Sequence, residues 1–100
     1  MRKLVVSDSA SIKIDELLNY LEANWSKKVR LNFFYKMNKL LKQIQEYPDS
    51  CPKTDYAEGV RRLIITKQTS LYYNYDDRNI YILMVYDNRM NPKKLRNYIN

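Results

Sequence analysis

Three consecutive strand-like segments in the second half of the chain limit its fold more than any other feature of the sequence. They are rich in Val, Ile, Leu and Tyr, and they span residues 60–66, 69–76 and 79–86. The connections between them, Lys67-Gln68 and Asp77-Arg78, contain only two residues each. A parallel crossover needs a dozen or more residues, so connections this short force neighbouring strands to pair antiparallel. The second half is therefore predicted to form a three-stranded antiparallel meander.

The first half of the chain carries two helical patterns after one short strand. Residues 3–7 are predicted to form a largely buried first strand. Apolar residues then recur at helical spacing over 9–23 and over 27–46, and serines that can cap the first turn precede both segments. Because neither helix can bury its apolar stripe alone, the two are predicted to form an antiparallel hairpin. The predicted fold is α+β in the order β-α-α-β-β-β, a single domain over 1–100 with the helices packed on one face of the sheet.

Composition excludes several kinds of site. The 100 residues contain no His and a single Cys, so Ser-His-Asp and Cys-His catalysis, His-ligated zinc, multi-Cys metal sites and an internal disulfide are excluded. No metal or cofactor is expected. The longest apolar run, 80–86, is too short to span a bilayer, and polar residues 7–9 interrupt any signal-peptide core. The chain is therefore expected to lie in the cytoplasm, without a membrane partner.

The chain is strongly basic. Its 18 Lys and Arg against 11 Asp and Glu give a net charge of +7, which is divided almost evenly between the two halves. Between residues 27 and 42 there are six basic residues and no acidic one, all on the predicted second helix. A surface of this sign favours RNA, DNA or an acidic protein as partner, and the alternative is that the charge serves only solubility.

Alternation along the predicted strands separates a core face from an open face. In the middle strand Leu71, Tyr73 and Tyr75 share one side and are the better core set. Ser70, Tyr72 and Asn74 alternate with this set and are therefore predicted to lie on the open side. In the preceding strand both sides carry an arginine, so alternation does not decide whether Arg61 or Arg62 faces the open side.

The ordered set of segments resembles the RelE/ParE superfamily of bacterial type II toxins. The resemblance is carried by Lys3–Ser7 before a helix hairpin, the Tyr47-Pro48 stop, Gly59–Leu63, Leu71–Asp76, and Ile80–Tyr86 running into Asp87-Asn88-Arg89. It implies a small basic toxin that is held inactive by a cognate antitoxin. Within this superfamily some toxins cleave messenger RNA in the ribosomal A site and others poison DNA gyrase. An antitoxin of acidic character is expected to contact the apolar groove beside the helix hairpin or the sheet edge, and to pair with Lys36, Lys39 or Lys93.

The resemblance also implies site residues. Arg61 and Arg89 stand where the RelE branch places catalytic basic residues, and the target-binding candidates are Lys67, Tyr72, Lys93 and Lys94. The short polar turn after the last strand predicts a free Arg89 guanidinium for gripping a phosphate, and the alternative is that it pairs with Asp87.

Two departures from the nuclease pattern bear on the mechanism. Ser70 stands where the nuclease branch has an arginine, and Leu95 stands near the place of its late tyrosine. Fewer groups then remain to stabilise the phosphoryl transition state, which favours ParE-like inhibition of gyrase by binding. The alternatives are a RelE-like, ribosome-dependent mRNA endoribonuclease that uses metal-independent attack by the 2′-OH, and a non-catalytic RNA-binding module that uses the basic second helix.

Overall fold

The fold contains two helices and one four-stranded sheet. A computed structural model describes residues 1–90, and the predicted Lys93 and Lys94 lie outside them. The elements are β1 (Lys3–Val6), α1 (Asp8–Asn24), α2 (Lys27–Glu46), β2 (Arg61–Ile64), β3 (Thr69–Tyr75) and β4 (Asn79–Asp87). The predicted order is confirmed, and each predicted boundary lies within two residues of the observed one.

The helix hairpin begins and turns at serine caps. The Ser7 hydroxyl accepts a hydrogen bond from the backbone N–H of Ala10 at 3.0 Å, and that of Ser26 accepts one from Val29 at 3.1 Å. These contacts satisfy donors that the first turn of each helix leaves unpaired. A bond of 2.9 Å between Arg30 and Glu22 joins the two helices near the turn. The predicted helix hairpin is therefore confirmed, and a serine caps the first turn of each helix.

The sheet has the strand order β1-β4-β3-β2. The meander β2-β3-β4 is antiparallel as predicted, whereas β1 pairs in parallel with β4, with Lys3 opposite Asn79. The prediction that the first strand is largely buried was wrong, because Val5 and Val6 are 40% and 42% exposed. Among the strands that the structure describes, β1 lies at the edge of the sheet and pairs with β4 alone, so its apolar residues are less buried than those of an inner strand.

The helices pack on one face of the sheet, and the core lies between them. Leu71 and Tyr73 of β3 are fully buried there, as predicted, while Tyr75 is half-buried at the margin of this core. A bulge at Tyr72–Tyr73 shifts the pairing with β4, so that Ile82 and Val85 both reach the core although they are three residues apart. The other face of the sheet, called here the open face, has no helix on it among the described residues.

No helix within residues 1–90 has the length and apolar character needed to cross a membrane.

Candidate functional site

The pairing of β2 with β3 assigns the two adjacent arginines to opposite faces. Leu63 lies opposite Leu71 and both are buried under the helices, whereas Arg62 lies opposite Tyr72. Because alternate residues of a strand point to opposite faces, Arg62 belongs to the open face and Arg61 to the helix-covered face. The question that alternation left undecided is therefore answered in favour of Arg62.

Arg62 is part of a cluster of polar and aromatic side chains on the open face. Its Nε donates a hydrogen bond of 3.0 Å to the Ser70 hydroxyl. Tyr72 lies beside it, and the ring of Tyr56 meets the Tyr72 ring edge-on with 5.4 Å between centroids. Tyr86 lies opposite Ser70 on β4 and completes the set. We call Arg62, Ser70, Tyr72, Tyr56 and Tyr86 the open-face cluster.

The pKa values of two tyrosines of this cluster, Tyr72 and Tyr86, lie above the ordinary value of tyrosine. Burial raises the pKa of Tyr72, the neighbouring Tyr56 raises it further, and the Arg62 guanidinium opposes both. Burial likewise raises the pKa of Tyr86, helped by the charge of Asp87. Among the described residues the buried Tyr86 hydroxyl has no hydrogen-bond partner. At neutral pH both groups are therefore protonated, and they are donors rather than bases.

A surface cavity of about 540 Å³ adjoins the cluster. Arg62 and Tyr56 line it together with Lys53 from the loop that precedes β2. Arg62 is exposed and Tyr56 is 71% exposed, so a ligand in this cavity would meet a guanidinium, an ammonium and an aromatic ring, with Asp55 as the one acidic residue of the lining. Such a set suits an anionic, planar or acidic partner surface.

Arg61 holds the loop between α2 and β2. Its Nη1 donates to the backbone carbonyls of Cys51 and Asp49, at 2.5 Å and 3.2 Å, and its guanidinium lies 5.9 Å from the centre of the Tyr75 ring. The Tyr73 hydroxyl donates to the Pro48 carbonyl of the same loop at 2.7 Å. The Arg61 side chain is thus engaged by the protein's own backbone on the helix-covered face.

Arg61→Ala is expected to loosen this loop and to lower the free energy of unfolding by about 1.5 kcal/mol, because two carbonyls lose a charged donor. Hydrogen exchange at residues 49–55 should accelerate. Arg62→Ala is the matched control, since it removes the neighbouring arginine without touching these carbonyls. Equal exchange rates in the two variants would contradict the assignment.

Arg89 does not present a free guanidinium, so that prediction was wrong and the alternative pairing with Asp87 is observed. Nε and Nη2 donate to the two Asp87 oxygens at 3.0 Å and 2.7 Å, and the Arg89 backbone N–H also donates to Asp87. Thr69 gives the same carboxylate a further hydrogen bond, and the guanidinium lies 5.7 Å from the centre of the Trp25 ring. The side chain of Asp87 is fully buried and that of Arg89 is 24% exposed.

The pair shifts the pKa of both partners. Burial pushes the pKa of Asp87 upward, but the hydrogen bonds from Arg89 and Thr69 outweigh it, so the pKa lies below its ordinary value. The hydrogen bond to Asp87 raises the pKa of Arg89. Both groups therefore stay charged, and their strongest partners are each other.

The predicted site residues do not converge. Among the described ones, Arg61 lies at the start of the edge strand β2, opposite Tyr73, whereas Arg89 contacts Thr69 at the start of β3. Lys67 is exposed in the connection between β2 and β3, and Tyr72 lies on the open face as predicted. Sequence reasoning missed the grouping of Arg62 with Tyr56 and Tyr86. Once the register of the β2-β3 hairpin is known, Arg62 lies opposite Tyr72 and therefore on the same face of the sheet. No pattern in the sequence indicates Tyr56, because the loop before β2 places it beside Tyr72.

Among residues 1–90, no group of three or more Cys, Asp and Glu side chains is arranged to hold a metal ion.

Comparison with known proteins gives structural matches only. No family model matches the sequence, and no curated protein matches it. A chain of the chromosomal ParDE toxin–antitoxin system from P. aeruginosa matches with 17% identity and a TM-score of 0.72, covering 87% of this chain and 96% of that one. The YoeB dimer from Staphylococcus aureus matches with 21% identity and a TM-score of 0.61, covering 85% of this chain and 94% of that one.

The E. coli DinJ-YafQ toxin–antitoxin complex matches with 14% identity and a TM-score of 0.60, covering 88% of this chain and 93% of that one. All three matches cover 85–88% of this chain and 93–96% of the matched chains. At these identities the likeness concerns the fold. The resemblance found in the sequence is confirmed at that level: the chain has the fold of the RelE/ParE superfamily toxins.

Proposed function

We propose that this protein is the toxin of a bacterial type II toxin–antitoxin pair, and that it acts in the cytoplasm by binding DNA gyrase until a cognate antitoxin neutralises it. The observation that supports the toxin role is the likeness of the fold to the ParDE chain over 87% of this chain, at a TM-score of 0.72. The positive net charge of +7 suits an acidic antitoxin.

The engagement of both candidate catalytic arginines supports binding over RNA cleavage. Arg61 donates to loop carbonyls, and Arg89 is paired with the buried Asp87. A guanidinium already bound to a carboxylate offers little stabilisation to a phosphoryl transition state, because that stabilisation needs donors aimed at the developing charge. Inhibition by binding needs no such donors. The open-face cluster, with the exposed Arg62 at its rim, is the proposed target-binding surface.

A second candidate, ribosome-dependent cleavage of mRNA, is favoured by the composition of the same cluster. Arg62 could hold a phosphate, and the raised pKa of Tyr72 makes its hydroxyl a proton donor for a leaving 5′-oxygen. Ser70, which occupies the position of the nuclease branch's arginine, is here a hydrogen-bond partner of Arg62. This candidate requires a base from outside the cluster.

Expression of the protein alone in a bacterium is expected to arrest growth, and co-expression of a small acidic protein encoded beside it should restore growth. The control is the same transcript with a stop codon in place of that for Leu4. Normal growth of cells that contain folded protein would contradict the toxin role.

Two measurements on arrested cells separate the mechanisms. Gyrase inhibition should relax plasmid supercoiling while transcript ends remain those of uninduced cells. Codon-phased cuts in translated messages, with unchanged supercoiling, would refute gyrase binding and establish the second candidate.

A further inference from the structure

The side of the helix hairpin that faces away from the sheet carries two regular stripes of side chains. Along α1 they recur at alternating steps of four and three residues, and along α2 at alternating steps of three and four, so each stripe follows one side of its helix. The α1 stripe consists of Asp8, Ile12, Asp15, Asn19 and Glu22, and the α2 stripe of Lys28, Leu31, Tyr35, Asn38 and Lys42. All of these residues are exposed except Asn38, which is half-buried.

The two stripes are opposite in charge, and each contains apolar surface between its charged ends. Every charged residue of the α1 stripe is acidic, and every charged residue of the α2 stripe is basic. Ile12 is 59% exposed, and Leu31 and Tyr35 are 41% and 65% exposed. Within residues 1–90, Asp8 and Lys42 form no ion pair. Each stripe is therefore complementary to the other in charge and in apolar character.

The hairpin also places complementary positions at the same height along its length. Arg30 of α2 donates to the Asn19 side chain at 3.2 Å and to that of Glu22 at 2.9 Å, so Glu22 is close to the height of Lys28. Both helices rise by the same distance per residue and run in opposite directions. Because the steps of the two stripes mirror each other, the match continues along the hairpin, and Asp8 has the height of Lys42.

We propose that these two stripes form a self-complementary surface that binds a second copy of this chain, in a symmetric dimer whose two-fold axis runs parallel to the helices. Such an axis places α1 of each copy on α2 of the other, antiparallel and at the same height. Asp8 then pairs with Lys42 of the second copy, and Glu22 with its Lys28, each pair occurring twice. The apolar side chains of the stripes lie between these pairs and leave water on association.

The size of this surface indicates a weak dimer. The 17 residues of α1 span about 25 Å, and two helices side by side are about 20 Å wide, so the two copies together bury about 1,000 Å². Specific interfaces begin near this size, and the net charge of +7 on each copy opposes association. We therefore expect a dissociation constant on the order of 10–100 µM. Because the helices cover the other side of the sheet, the dimer leaves both open-face clusters uncovered.

Sedimentation velocity of the full-length chain, from about 5 to about 500 µM, tests the association. The sedimentation coefficient should rise with concentration from that of a monomer to that of a dimer. Lys42→Asp should weaken the dimer by roughly tenfold, because it places two carboxylates together at two points of the interface. Arg78→Asp makes the same change in net charge at an exposed position outside the hairpin, and it should leave the dimer unchanged. A native chain that stays monomeric, or equal weakening in the two variants, would overturn the proposal.

A charge exchange tests the pairing itself. Asp8→Lys should also weaken the dimer by roughly tenfold. An equimolar mixture of the Asp8→Lys chain and the Lys42→Asp chain should nevertheless dimerise with nearly native affinity, since each chain supplies the charge that the other has lost. A folding defect in either variant would not be repaired by mixing. A mixture that associates no better than its components would refute the pairing of Asp8 with Lys42.

One rival occupant of this surface is the chain's own residues 91–100. In a mixture of isotope-labelled and unlabelled chains, nuclear Overhauser effects between Ile12 of one copy and Asn38 of the other are expected. Contacts of Ile12 or Leu31 with residues 91–100 of the same chain, in a monomer, would assign the surface to them and refute the proposal. All of these measurements use the purified chain alone, so their outcome is independent of the proposed function, which fails only if folded protein does not arrest growth.

Discussion

Arg89→Ala is expected to lower the free energy of unfolding by about 3 kcal/mol, because it leaves the buried Asp87 carboxylate without its strongest partner. The geometry behind this value is a two-point contact, 3.0 Å from Nε and 2.7 Å from Nη2, on a carboxylate whose side chain is fully buried. Urea unfolding followed by circular dichroism would measure the loss. Arg78→Ala, an exposed arginine in the connection between β3 and β4, should change the stability by less than about 0.5 kcal/mol.

A double-mutant cycle measures the interaction energy between Asp87 and Arg89 apart from the effect of each single substitution. Asp87→Ala combined with Arg89→Ala should cost less than the sum of the single variants by at least about 1.5 kcal/mol, since the second change removes the charge that the first one orphaned. Simple additivity would show that the two side chains do not interact in solution.

The same pair predicts how stability depends on pH. The folded-state pKa of Asp87 lies below its ordinary value of 3.8, so the ionised carboxylate stabilises the fold above that pH. This stabilisation is lost as the pH falls through the folded-state pKa. The stability difference between the native chain and Asp87→Asn should therefore be constant near neutrality and shrink below about pH 4. A difference that persists unchanged to pH 2 would contradict the assignment.

Arg62→Ala is expected to weaken inhibition of purified gyrase by on the order of thirtyfold, measured as the concentration that halves supercoiling, with the fold intact. Arginine is enriched among the interface residues that contribute most to binding, and Arg62 is exposed beside a cavity that Tyr56 also lines. The only hydrogen bond that its side chain makes within residues 1–90 goes to the Ser70 hydroxyl, so truncating this side chain costs the fold little.

Arg78→Ala again serves as control, because it removes an exposed arginine from a part of the sheet outside the open-face cluster. Equal inhibition by the Arg62 variant and the native chain would remove the open face from the target-binding surface. Loss of inhibition in both variants would instead indicate a general effect of charge.

Local patterning was enough to predict the order of the elements, whereas long-range pairing was needed for the site. The spacing of apolar residues and the serine caps act within a few residues, and they located both helices. The burial of Val5 and Val6 depends on whether β1 lies inside the sheet or at its edge. A run of apolar residues does not show which of the two positions a strand occupies.

The two arginine predictions differ for the same reason. Asp87 and Arg89 are only two residues apart, at the turn that follows β4, so their pairing could be anticipated from the sequence. The engagement of Arg61 depends on the path of the loop through Asp49 and Cys51, and the grouping of Arg62 with Tyr56 depends on that same path. The path of a loop is determined by tertiary contacts, and the spacing of apolar residues along the sequence does not predict those contacts.

The pairing of the first strand with the last one has a consequence for folding during synthesis on the ribosome. β1 is synthesised first, yet within residues 1–90 it pairs with β4 alone, so Lys3 cannot pair until Asn79 has been synthesised. At usual rates of translation this interval lasts roughly 4 to 15 seconds. During that time the first strand cannot enter the sheet, and a chain released early, before β4, cannot form the four-stranded sheet at all. Synthesis itself therefore delays assembly of the sheet, and the proposed antitoxin would have those seconds in which to bind the nascent chain.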